Sequence, residues 1–261
     1  MLGKLLKYEF KATTRTILPA YLLIAFFTVA GRIAIKNPTI NSLLNGSIAG
    51  VLMLFYVLAI IMIVALTFFM ILQRFYTNLL RDEGYLTHTL PVSVDHHIWT
   101  KTITAFVWTV ISTIVVTVSL FGLLAEAEDI RILVTGIQEV IRAYNAICTI
   151  PLPLLIAELV ILALISLLSA LLNLYAAMGI GQFFNRHKIL GSVLAYMGLS
   201  FIFSIAFGVF AAVAGVWFDN LAGREYIIHV VLGILSAGVV VQGVLYYFIT
   251  RYCLGKRLNL E

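Results

Sequence analysis

Glu158 is the one carboxylate set well inside a long apolar run, about 10 Å along a helix from Pro151 at 1.5 Å per residue. An ionised side chain at such a depth costs roughly 2.5–3.5 kcal/mol or more unless it faces a cavity or a partner. His229, near the start of the last apolar run, is the available partner. Two readings stand side by side. In one, Glu158 and His229 belong to a translocation path or an outer gate; in the other, they form a structural hydrogen bond between spans.

The second concentration of chemistry is Arg74 to Lys101, RFYTNLLRDEGYLTHTLPVSVDHHIWTK. His88, Asp95, His96 and His97 have the side chains of a metal site. Their spacing does not suit one, because Pro91 interrupts the segment and adjacent helical residues point about 100° apart. No metal site is expected. Ser93 is better read as the cap of the following helix, with Asp95 favoured at its positive end and the histidines meeting headgroups. No G-x-x-x-x-G-K-[ST], H-E-x-x-H or Gly-rich dinucleotide turn occurs anywhere, so no nucleotide site or catalytic centre is expected in this chain.

The elements that must position these residues follow from composition. The 261 residues are 62% hydrophobic and only 11% charged, with mean hydropathy +1.07. A soluble chain carries roughly twice that charged fraction. The bilayer is therefore the solvent, and long unbroken apolar runs favour helices over a barrel. Six windows reach the roughly 20 residues that a span needs. They are Ile17 to Ile35, Ser47 to Gln73, Ile98 to Leu124, Leu152 to Gly179, Leu190 to Trp217 and Ile227 to Thr250. The expected fold is an all-α polytopic membrane protein, forming one transmembrane domain over residues 1–261.

Two amphipathic helices should accompany the spans. In Met1 to Arg15, Lys4, Lys7, Lys11 and Arg15 share one face and Leu2, Leu5, Leu6 and Phe10 the other, which suits an interfacial helix over anionic headgroups. A signal peptide is the less favoured reading, because no clean small-residue cleavage site follows Ala30. The second is Glu128 to Tyr144, between spans three and four, where Ile130, Leu133, Val134, Ile137, Val140, Ile141 and Tyr144 recur at helical spacing.

Of the 17 Lys and Arg, twelve fall in segments on the side of the two termini, and Arg32, Lys36, Arg131, Arg142 and Arg224 fall opposite. The bias places both termini in the cytoplasm and Glu128 to Tyr144 outside. Basic residues scattered at span ends are topology signals, so a nucleic-acid partner is not expected. Arg32, near the end of span one, is able to snorkel. Cys148 and Cys253 should lie at opposite ends, too far apart to bridge. Span five is rich in small residues, from Gly191 to Gly215, and should be buried in the bundle or at a dimer interface. Ser166, Ser169 and Asn173 of span four should face protein or a pathway.

A basic amphipathic start, six spans and the run NLLRDEGYLTHTLPVSVDHHIWTK resemble the ABC-2-type permeases of Gram-positive bacteria. In these a D-E-G-Y-L…T-L-P-V-S run commonly joins spans two and three. The resemblance covers the whole chain in topology, and its motif covers Asn78 to Lys101. It implies two permease subunits, alike or different, above two separate ATPase subunits, in a bacterial cytoplasmic membrane. It also implies that Met1 to Arg15 is an elbow helix and that residues 74–101 form the coupling segment. Asn78, Arg81, Asp82, Glu83, Gly84 and Tyr85 would then contact the ATPase, which supplies the ATP and magnesium that this chain does not bind. Exporters of polysaccharide and lipid carry their outer helices between spans five and six. Here the outer helix joins spans three and four, which leaves peptide and small-drug exporters as better analogues.

The resulting expectation is the permease subunit of an ATP-driven exporter with a hydrophobic or amphipathic cargo, a peptide among the candidates, and no enzymatic activity of its own. An ion-coupled secondary carrier using Glu158 is a second reading, although no paired inverted repeat supports it. A third is a non-transporting immunity or sensor protein that binds a peptide at the outer helix.

Overall fold

Lipid offers a backbone amide no partner, so apolar segments that enter it must satisfy their own hydrogen bonds as helices. A computed structural model of the chain describes residues 2–37, 47–80, 92–124, 127–147, 150–184, 186–219 and 227–256. The helices are α1 (Leu2–Lys36), α2 (Ser47–Phe75), α3 (Val94–Leu124), α4 (Ala127–Ile147), α5 (Leu152–Gly181), α6 (Lys188–Asp219) and α7 (Ile227–Lys256), with a π-helical turn at Tyr76–Leu80 after α2. All except α4 are long and apolar enough to cross a membrane, and no strand occurs among the described residues. The chain is an all-helical protein of the multi-pass membrane type.

Met1 to Arg15 does not fold as a helix of its own. It continues without a break into the first span, so α1 has 35 residues and a length of about 52 Å. The buried positions explain the continuity: Thr13, Ile17, Ala20, Ile24, Gly31 and Ala34 recur at steps of three, four and seven across the expected junction. Thr13 and Thr14 return their hydroxyls to carbonyls of Glu9 and Phe10 and so do not compete with the helix. Lys4, Lys7, Lys11 and Arg15 are all exposed.

The chain divides into two compact units, with α3 and α4 contributing to both. The first, Met1–Arg74 with Ile103–Val134, has an apolar core of Ala20, Ile24, Tyr56, Ala59, Ile63 and Leu123. Polar pairs at intervals along α3 bind it to its neighbours. Trp108 donates its indole N–H to Thr13 at 2.7 Å. Ser112 meets Tyr21 of α1 at 2.8 Å and Thr67 of α2 at 2.9 Å, and Ser119 meets Tyr56 at 2.6 Å. Such interhelical bonds contribute about 0.6 kcal/mol each, rising to about 1.7. The Arg32 guanidinium donates to the carbonyl of Gly122. That carbonyl lies in the last turn of α3, where the helix dipole favours a cation.

The second unit, Phe75–Thr102 with Thr135–Glu261, is built on α5 and α7. These two run parallel: Glu158 meets His229, Ser169 meets Gly243, and Gly179 meets Cys253, so the contacts advance together along both helices. The other helix, α6, returns antiparallel, with Ser192 against Gly181 and Ser200 against Asn173. Glycine is required at the turn. A Cβ on Gly181 would stand 2.7 Å from the backbone nitrogen of Ser192 and 2.8 Å from the carbonyl of Lys188.

The small residues of α6 do not bury it in this chain. Only its first turns pack closely, and residues 204–213 are all exposed. Ser169 and Asn173 are buried as expected, whereas Ser166 is exposed.

Gly181→Ala should therefore lower the midpoint of thermal unfolding in detergent, with a destabilisation of about 1–3 kcal/mol from overpacking. Gly198→Ala adds its methyl where no atom lies within 4 Å and should leave the midpoint unchanged or slightly raised. Equal effects from the two would show that the α5–α6 turn is not sterically fixed.

Candidate functional site

The parallel pair α5 and α7 carries a polar cluster near each of its ends. Near the starts of both helices, His229 Nδ1 lies 2.7 Å from Glu158 Oε2. The carboxylate can only accept, so Nδ1 carries the proton. Tyr144 of α4 completes the group, its hydroxyl 3.3 Å from His229 Nε2. The His229 side chain is 10% exposed and that of Glu158 29%, so the imidazole sits inside the packing and the carboxylate at its margin. In the neutral tautomer Tyr144 donates to Nε2; a second proton on the imidazole reverses that bond and makes the Glu158 contact an ion pair. The trio can therefore hold or pass one proton without leaving a polar group bare.

At the other end the anchor is Tyr175, 1% exposed. Its ring stacks on Phe75 with centroids 4.0 Å apart and planes 7° from parallel. Its hydroxyl donates to the main-chain carbonyl of Lys101 at 3.3 Å. Phe75 and Lys101 stand at opposite ends of the polar stretch 74–101, so one side chain of α5 holds both of its ends. A second attachment comes from α7. Asp95 Oδ1 accepts from the Tyr247 hydroxyl at 2.6 Å and from Arg251 Nε at 3.1 Å, and Trp99 packs beside Tyr247 at 5.7 Å. With Arg251 half exposed the ion pair alone contributes about 0.2–1 kcal/mol, so the phenol and the ring contact matter as much as the charges.

The residues expected to act fall into three groups. Glu158 and His229 are brought together. Asn78 lies in the π-helical turn, next to buried Leu79 and Leu80. Arg81, Asp82, Glu83, Gly84 and Tyr85 lie outside the described residues, as do His88 and Cys148. Val94 to Lys101 forms the first two turns of α3, directly after Ser93 as expected, and Lys101 is buried. Ser93 does precede the helix, but its hydroxyl pairs with the His96 ring at 2.5 Å. Asp95 turns to α7, and His97 is 4% exposed and packed in protein instead of meeting headgroups. No group of three metal-ligating side chains occurs among the described residues.

Sequence reasoning missed Tyr144, Tyr175 and Tyr247 as functional positions and counted Arg251 only for topology. A phenol inside an apolar run was the available signal, because its hydroxyl needs a partner once buried.

Glu158→Gln and His229→Gln, made singly and together, should behave as a coupled pair. Each single change lowers the unfolding free energy, and the double change costs less than their sum by about 0.5–3 kcal/mol. Strict additivity in a detergent unfolding series would mean that the bond contributes nothing. No protein-family model matches this chain, and neither does any curated protein or solved structure.

Proposed function

We propose that the chain is the permease subunit of an ATP-driven exporter of the ABC-2 type, set in a bacterial cytoplasmic membrane with both termini inside. The observation that carries this reading is the clamp on the polar stretch 74–101. Phe75 and Lys101 both meet Tyr175, and Asp95 meets Tyr247 and Arg251. Phe75 closes α2 and Asp95 and Lys101 open α3, so the helix ends on both sides of the connection are anchored on the same pair, α5 and α7. Anchored flanks suit a connection that receives force from a soluble motor, because a push on slack ends would be absorbed by bending.

The six apolar helices and the run from Asn78 to Lys101 support the same reading. So does the missing P-loop, since the energy must then come from a partner. Separate ATPase subunits holding ATP and magnesium dock on Arg81 to Tyr85, and a second permease subunit completes the pathway. The exposed basic residues of α1 face the anionic inner leaflet, and α4 lies on the outer surface, its Ile130, Leu133, Ile137 and Val140 turned to lipid. Cargo is hydrophobic or amphipathic, and the Glu158–His229–Tyr144 group is a gate element at the outer end.

Affinity purification of the tagged chain from its native membrane should bring down a P-loop ATPase in stoichiometric amount, with hydrolysis that depends on this chain. Charge reversal at Asp82 and Glu83 should release the ATPase while leaving the unfolding midpoint of the chain unchanged. Tyr175→Leu should keep the ATPase bound but reduce the response of hydrolysis to cargo by about fivefold or more, the lower range of a coupling free energy. Full function in liposomes with no ATPase present would replace this reading with that of an ion-coupled carrier.

A further inference from the structure

Between α6 and α7 lies a cleft of about 710 Å³. Phe203 closes one end by meeting Tyr246 edge-on at 4.9 Å, and the Phe207 ring lies 3.9 Å from where a Cβ on Gly238 would stand. The walls are aromatic and aliphatic, yet Ser200, Ser204 and Gln242 also line the space, and no ionisable group does among the described residues. An acyl chain would fill such a cleft without using these three polar groups.

The polar groups of the wall are held from behind by α5. Asn173 donates to Ser200 at 3.1 Å, and Ser169 packs at 3.6 Å from the Cβ position of Gly243, the neighbour of Gln242. Both Asn173 and Ser169 are more than nine-tenths buried, so α5 fixes the wall from which Ser200 and Gln242 face the cleft. A polar group lining an apolar space costs about 1–3 kcal/mol when it is left without a partner.

We infer that the cleft binds a neutral, hydrophobic amide, with an apolar peptide segment as the ligand class. Gln242 already donates to Tyr246 at 2.9 Å, which leaves its carbonyl oxygen to accept a ligand N–H. On the facing helix Ser200 accepts from Asn173, so its own proton is free to be given to a ligand C=O, and Ser204 stands one turn further along. An acceptor on one wall and a donor on the other match the two halves of a peptide unit. The phenyl groups take its apolar side chains. Naming this ligand as cargo rests on the exporter reading, whereas the binding does not.

The test uses the full chain in nanodiscs and a fluorescent, end-blocked Leu/Phe tetrapeptide, with empty nanodiscs as the partition baseline. Binding should saturate above that baseline. Gln242→Leu should weaken it about tenfold, the effect of one lost hydrogen bond in a dry site. Gly238→Leu should weaken it as much by filling the cleft, in protein whose unfolding midpoint matches wild type. An analogue with its amides replaced by esters should bind correspondingly less well.

Signal no greater than the baseline would overturn the proposal. So would equal binding of the ester analogue, or full displacement by a fatty alcohol at the peptide's own concentration, which would mark a lipid site. Dimerisation lost in Gly238→Leu with peptide binding intact would mark a contact between copies and overturn it too. If peptide binds as described but no ATPase co-purifies, the exporter reading fails and the site stands.

Discussion

A polar group inside a bilayer has no water to fall back on, and this constraint organises the helices more than any apolar contact does. Leucine against leucine gains little over leucine against an acyl chain. A hydroxyl without a partner loses about 1–3 kcal/mol, so pairing determines which faces meet. Ser112 is the plainest case. It touches Tyr21 and Thr67 at once and so fixes the mutual rotation of α1, α2 and α3 in the first unit. Trp108 with Thr13 and Ser119 with Tyr56 repeat the device one or two turns away. Arg32 on the Gly122 carbonyl extends it from side chains to a helix end.

The same rule gives the second unit its division of labour. The Tyr175 hydroxyl stands too far from its own helix to use that helix's carbonyls and reaches the carbonyl of Lys101, so the hydrogen bond that burial demands also ties down the polar stretch. Asp95 likewise departs from the helix-terminal role that its position invites. Tyr247 and Arg251 offer it two donors on another element, and two charge-assisted bonds outweigh a dipole interaction of about 0.3–1 kcal/mol.

All six long helices were legible in the sequence to within a few residues except at the start of α1, because lipid sets a length that hydropathy reads directly. The partnership of Glu158 with His229 was legible too, since an acid at that depth limits its choices. The continuity of α1 was not. Charge pattern separated Met1 to Arg15 from the span, but the three-and-four spacing of buried positions that joins them crosses that boundary and shows only when the packing face is known. The exposure of α6 was equally hidden: small residues permit close approach, but do not supply a neighbour. The roles of Tyr144, Tyr175 and Tyr247 depend on which element lies opposite, which periodicity within one helix cannot reveal.

The parallel register of α5 and α7 has a mechanical side. A helix resists compression along its axis, and Tyr175 and Glu158 stand about 25 Å apart on one such rod at 1.5 Å per residue. Axial movement of α5 at the clamped end arrives at the other end almost undiminished. The Glu158–His229 bond spans the gap between that rod and its neighbour, and at 2.7 Å it lies at the short end of the range for such bonds. Sliding of α5 past α7 by a fraction of a helical turn therefore stretches this bond before it disturbs the apolar packing between the helices, which tolerates small shifts. The trio is thus the most displacement-sensitive point on the pair, a strain gauge at the end of a lever whose handle is the polar stretch.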